Sequence, residues 1–244
     1  MRFPIIAIAA ITISGLAFNG VKTFTENERQ ENNKFQEVAT SVVSETVAET
    51  DVYRIAIDEN NDEEITEETV AKEPYVSPID WETLKSRNED VFAWVKIQGT
   101  DVNYPIMYGG EYIKKDIDGK NSYSGSIFVE EGTPNVIYGH HLKNGKMFSI
   151  IDEYNNEAFF NGHPDICLYF QEKELHLRPV IAVNGSADAS VRTLNDMDSL
   201  SRFLEDKNIN AGKLPAEVNN LYVFVTCNYG GNDFRTYLIC SEVN

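Results

Sequence analysis

Three regimes of hydrophobicity succeed one another along the chain. Residues 3–18, FPIIAIAAITISGLAF, are an uncharged apolar run behind Met1 and Arg2, and the absence of charge continues to Val21 before Lys22. Residues 23–73 are polar, with valines scattered between ENERQENN and DENNDEEITEE. Beyond Pro78, apolar and polar positions alternate in bursts of strand length, separated by Gly, Asn, Asp and Pro. Short alternating runs bounded by turn formers predict a mainly β domain over residues 74–244.

Within that domain the pattern predicts a helix first. Ser77-Pro78-Ile79-Asp80 reads as a capping box, with Ser77 accepting from the first-turn amides and Pro78 placed where its missing N–H costs nothing. Trp81, Leu84 and Val91 can then share one helical face, and residues 88–90 end or kink it. From Phe92 the period falls to two, through Trp94, Ile97, Val102, Tyr104 and Ile106, and Pro105 implies an edge or a bulge. Strands are expected at 124–129 and 135–138 around a loop at 130–134, and a helix at 147–154. A hairpin joins 166–170 to 174–183, and Asn195 or Asp196 caps a helix reaching Lys207 with Leu200, Phe203 and Leu204 inward. Many short strands with few helices argue for a barrel or a sandwich, without choosing between them.

The last hairpin carries the candidate chemistry. Residues 221–226 are a near-continuous apolar run, expected to be buried on both faces, and Cys227 ends it. A loop containing Gly230, Gly231, Asn232 and Asp233 follows, and Arg235 opens the returning strand. Paired strands lie about 5 Å apart, so Cys227 and Arg235 can face the same space across the lips of the loop. A guanidinium there favours thiolate over thiol and can donate to an oxygen that becomes negative when sulfur attacks a carbonyl. The plainer alternatives are a buried strand-end thiol, and an arginine paired with Asp233 or Glu242. For proton handling, His140 and His141 stand at the exit of another strand-like run, after Gly139; adjacent residues in extended chain point apart, so at most one faces the sulfur. Cys167 and Cys240 lie inside apolar strands and are expected to be small buried hydrophobes; His163 and His176 lack partners at metal-ligand spacing.

These residues resemble the class B sortases, cysteine transpeptidases of Gram-positive bacteria. The likeness rests on TC with an arginine eight positions on, YGHH with GKMF shortly after, GSIFV at 125–129 and the run WVKIQGTDVNYPI from Trp94 to Ile106, and it covers residues 78–243. The resemblance implies a closed sortase-type barrel of about eight strands, with an N-terminal helix and a helix in the long connection before the cysteine strand. It implies Cys227 as nucleophile, His140, directly after the glycine, as the proton-transferring group, and Arg235 as oxyanion partner, with no cofactor or metal. Thr226, Ile113 and Ser186 fall at or near substrate-contacting positions. The sequence departs from the family at Val223 and Val225, where threonine or serine is common, at Asn228, which replaces an acidic or hydroxyl residue, and at Gly109, where an asparagine often contacts substrate. The preferred sorting motif is therefore left open.

Charge and composition set the surroundings. The formal charge of −18 is uneven: +2 over residues 1–22, −11 over 23–73 and −9 over 74–244, which excludes a basic nucleic-acid footprint. Segment 1–22 is expected to be a membrane signal-anchor, a cleaved signal peptide being the alternative, and 23–73 an acidic, mostly unstructured spacer with at most a transient helix over 37–47. The resemblance then implies an enzyme held at the cell membrane with its catalytic domain outside. Its partners would be secreted proteins carrying a C-terminal sorting signal and an amino group of the peptidoglycan precursor. A hydrolytic cysteine peptidase, a pilin-polymerising sortase and a non-catalytic binding module are the competing functions.

Overall fold

A computed structural model describes residues 26, 27, 29–31, 33–44, 75–207, 209, 214–228 and 233–243. The apolar segment 1–22 and residues 45–74 therefore lie outside the described residues; among those described, no helix is long and apolar enough to cross a membrane.

Eight strands close into a barrel: β1 (Val91–Ile97), β2 (Asn103–Tyr108), β3 (Ile127–Glu130), β4 (Thr133–Gly139), β5 (Ile166–Tyr169), β6 (Glu174–Ser186), β7 (Asn219–Cys227) and β8 (Phe234–Glu242). Their order around the barrel is β1-β2-β3-β4-β7-β8-β6-β5. The β2–β3 and β4–β7 pairs are parallel and the other pairs antiparallel. Closure leaves no sheet edge unpaired, which settles the choice between barrel and sandwich. Pro105 is tolerated because the β2–β3 ladder begins only at Ile106, so its missing N–H falls beyond that ladder.

Strand alternation sorts the apolar residues into two cores. Ile137, Leu168, Phe224 and Leu238 point into the barrel with side chains from all eight strands. Val136, Val183, Val223, Val225, Tyr237 and Ile239, on the opposite face of neighbouring strands, form a second cluster outside the barrel wall. That face is covered by the β6–β7 connection, through Val191 and Leu194 and through α4 (Met197–Asp206), which buries Leu200, Phe203 and Leu204. Each such side chain removed from water contributes about 1.5–3 kcal/mol. Asp196 caps α4, accepting from Ser199 N while the Ser199 hydroxyl accepts from the Asp196 amide.

Several expectations are corrected. The short helix α2 (Trp81–Arg87) is capped by Asp80, which accepts from Thr83 N at 3.0 Å; Ser77 instead accepts from Ile79 N and from the Trp81 indole at 2.7 Å. Val91 opens β1 rather than extending the helix. Residues 147–154 form no α-helix but contribute to a 3-10 helix at Ser149–Asn155. The spacer expected over 23–73 is not unstructured throughout: 33–42 is helical (α1), and Phe35, Val38, Ala39 and Val42 are buried in the barrel's main core. These positions follow helical spacing, i, i+3, i+4 and i+7, a signal that the acidic composition around them masked. Lys34 of α1 pairs with Asp116 at 2.5 Å and with Asp118, and Glu31 accepts from the backbone of Tyr123 and Ser124.

Candidate active site

The cysteine hairpin is in the register expected for it. Cys227 lies directly opposite Arg235 on β7 and β8, and Arg235 lies opposite Gly185 on β6. Both side chains share the outer face of Val225 and Tyr237, at the end of the sheet just past the second core. On the other flank of β7, Gly139 of β4 pairs with Thr226, so His140 follows where β4 ends beside Cys227. The three side chains thus stand in strand order β4, β7, β8, with the sulfur in the middle. They line one groove of about 390 Å³. Two glycines hold this arrangement. A Cβ on Gly139 would sit 2.6 Å from Ile127 Cδ1 and 2.7 Å from Phe148, so only glycine fits above the barrel interior there. Gly125, at φ +58°, packs so closely that a Cβ would lie 2.4 Å from the Ile113 carbonyl oxygen.

That carbonyl aims the imidazole. His140 Nε2 lies 2.7 Å from Ile113 O, and because a carbonyl can only accept, Nε2 carries the proton. Nδ1 is then the nitrogen through which a neutral ring can take up a further proton. His141 sits on the other side: its Nδ1 donates to the Cys227 carbonyl at 2.9 Å, fixing the strand end that bears the sulfur. Arg235 Nη1 donates to the Phe234 carbonyl at 3.0 Å, while Asp233 Oδ1 lies 3.9 Å from Nη2, too far for a hydrogen bond. The guanidinium is therefore oriented with donor capacity left for a ligand.

Only one cysteine is suited to react. Burial pushes the Cys240 thiol well above its ordinary value, and burial likewise raises Cys167, which contacts His176 Nδ1 at 3.6 Å. Cys227 alone of the three lines the groove and is only partly buried. His163 caps the short helix α3 (Glu157–Gly162) and stacks on Phe159, and His176 bonds to Glu174. Among the described residues no three His, Cys, Asp or Glu side chains gather as metal ligands.

The residues expected at the substrate divide. Ile113 lines the groove and is 42% exposed, as a surface for an apolar group requires. Thr226 also borders it, but its side chain is buried and its hydroxyl donates to Gly139 O at 3.0 Å, tying β7 to β4. Ser186 is corrected: it does not line the groove, because it pairs with Phe234, one position out of phase with the Gly185–Arg235–Cys227 row, and so faces away. Ala187, Asp188 and Ala189 border the groove instead. Asp188 is held down to about 2 by its bond from Lys207, 2.7 Å away, and by Ser190. Arg192 pairs with Glu130, and burial pushes the nearby Tyr138 hydroxyl above its ordinary value. Nothing in the sequence pattern announced these wall residues or the Ile113 carbonyl, since backbone acceptors and cross-loop ion pairs leave no periodic signal.

Comparison with known proteins points the same way. No family model matches the chain. It is 29% identical over 93 residues to sortase B of Staphylococcus aureus, covering 34% of this chain and 38% of the relative. It is 30% identical over 91 residues to sortase B of Listeria monocytogenes, covering 33% and 37%. The chain thus spans well under half the length of the curated relatives it matches. The X-ray structure of Clostridium perfringens sortase B superposes with a TM-score of 0.58 at 24% identity, over 67% of this chain and 100% of that one. The fold is that of the class B sortases. Within this sortase fold the expected barrel, the N-terminal helix and the helix of the long β6–β7 connection are all present.

Proposed function

We propose that the chain is a membrane-anchored, class B-type sortase that joins secreted proteins to the cell wall. The observation that carries this reading is the placement of His140, Cys227 and Arg235 on adjacent strands around one groove. In the first half-reaction Cys227 Sγ bonds to the carbonyl carbon of a threonine in the sorting signal, and the oxyanion accepts from Arg235 and a backbone N–H. The C–N bond breaks as His140 gives a proton to the leaving amine. An amino group of the peptidoglycan precursor then attacks the thioester, His140 takes its proton, and the C–S bond breaks to restore the cysteine. No cofactor enters either step. Segment 1–22 serves as the anchor, placing the domain outside the membrane.

The test is full-length protein in detergent, incubated with a library of sorting-signal peptides and hydroxylamine as acceptor. The expected result is a ligated product together with a thioacyl adduct on Cys227, both seen by mass spectrometry. Product formed equally by Cys227→Ala overturns the assignment, and hydrolysis that the added amine does not divert makes the protein a peptidase.

A further inference from the structure

Two polar residues stand next to the reactive pair: Asn228 directly follows Cys227, and Thr236 directly follows Arg235. One carboxylate oxygen receives both. Asp152 Oδ1 accepts from Asn228 Nδ2 at 2.7 Å and from Thr236 Oγ1 at 2.6 Å, and Asn228 Nδ2 also reaches Thr236 Oγ1 at 3.0 Å, closing a ring of hydrogen bonds. Asn155 adds a third donor to the same oxygen at 3.2 Å, and it also bonds to the Asp152 carbonyl at 2.9 Å. Thr236 is fully buried, and its hydroxyl, with one proton to give, lies within reach of Asn184 Oδ1 at 2.8 Å as well as of Asp152.

The group is built into the site's backbone. Asn228 N donates to Phe234 O at 2.9 Å, bonding the base of the hairpin loop, so fixing the Asn228 side chain also fixes the peptide that follows Cys227. At the other end of the same segment, Phe148 N donates to the His140 carbonyl at 3.0 Å. Residues 148–155 therefore touch the backbone of His140 and the neighbours of Cys227 and Arg235. An ionised carboxylate only accepts hydrogen bonds and has lone pairs for several donors, and its short bond from a hydroxyl is of the charge-assisted kind. Neither alanine nor a lone hydroxyl could gather the same set.

We infer that Asp152 is a positioning residue for the acyl transfer, acting through Asn228 and Thr236 to hold Cys227 and Arg235 in attacking register. This rests on the transpeptidase reading above. It assigns no contact with substrate to Asp152. A misplacement of about 1 Å at a reacting group can cost on the order of 100-fold in rate, so a staple on both strands is expected to act on kcat.

The experiment measures kcat and KM of the full-length protein with a peptide that the wild type turns over, and hydroxylamine. Asp152→Ala is expected to lower kcat on the order of 10- to 100-fold with KM held within about threefold. Asp152→Asn, whose amide oxygen still accepts from both donors, is expected to recover activity to within about threefold of wild type. Asn228→Ala should lose as much as Asp152→Ala, and the double variant no more than either, because they act as one unit. A kcat for Asp152→Ala within about twofold of wild type, a loss confined to KM, or an Asp152→Asn as impaired as the alanine overturns the inference and leaves the transpeptidase reading standing. If Asp152→Ala does not fold, Asn228→Ala decides: a kcat within about twofold of wild type overturns the inference, and a loss of kcat of about 10- to 100-fold with KM held within about threefold supports it. Absence of any Cys227-dependent product from the wild type overturns both readings together.

Discussion

Phe35→Ala asks whether the acidic segment contributes to the folded domain. The ring is 2% exposed and meets Tyr104 edge-on at a centroid distance of 5.8 Å, inside the main core. Truncating a core phenylalanine to alanine costs at least about 3 kcal/mol and up to about 5. For a domain of this size, 1 kcal/mol corresponds to about 2–4 °C in Tm, so a loss of about 3 kcal/mol should lower the melting temperature by about 6–12 °C. Differential scanning calorimetry of wild type, Phe35→Ala and the exposed control Glu37→Ala reads this directly. The control should shift stability by no more than about 0.5 kcal/mol. If all three melt within about 1 °C of one another, α1 does not dock and the folded unit begins near residue 74, as composition alone suggested.

Other consequences are open to measurement. Arg235→Lys keeps the charge but loses the planar fork, so kcat should fall on the order of 100-fold or more with little change in KM, and an unchanged kcat would remove the guanidinium from the oxyanion role. Gly125→Ala places a methyl against the Ile113 carbonyl at a positive φ; it should destabilise the domain by about 1–3 kcal/mol and, by shifting the acceptor that aims His140, slow ligation more than Gly132→Ala, where no atom lies within 4 Å. Asp118 is held down to about 2 by the bond from Arg87 and then by Lys34. Its folded pKa lies below the unfolded value of about 3.9, so its stabilisation is fully present above pH 4 and is lost as pH falls towards 2. Asp118→Asn should flatten the Tm-against-pH curve in that window, and an unaltered slope would show that the pairs do not hold in solution.

What the sequence made legible was local. The Cys227–Arg235 register followed from run length and turn residues alone, and the Leu200, Phe203 and Leu204 face of α4 from helical spacing. The two parallel pairings, β2–β3 and β4–β7, left no such trace, because residues brought together across long stretches share no periodicity. For that reason the barrel came from family resemblance rather than from pattern. The groove shows the same division: the reactive sulfur stood out by its position before a polar loop, whereas the Ile113 carbonyl, the His141 bond to Cys227 and the Asp152 cluster depend on where loops come to rest. Ser186 was misplaced by one step of strand phase, which is enough to turn a side chain to the other side.

The parallel β4–β7 seam also sets a schedule. His141 and Cys227 touch across 86 positions, and β8 inserts between β7 and β6 to complete the ring. A chain emerging from its N-terminal end therefore exposes its thiol before the guanidinium strand exists, with two sheet rims still raw. Contacts of such long range form slowly, and raw rims invite pairing with other chains. If the proposed reaction holds, a nascent or clipped molecule lacking that strand is expected to be inert towards peptides and prone to clumping, because sulfur and guanidinium meet only in the finished barrel.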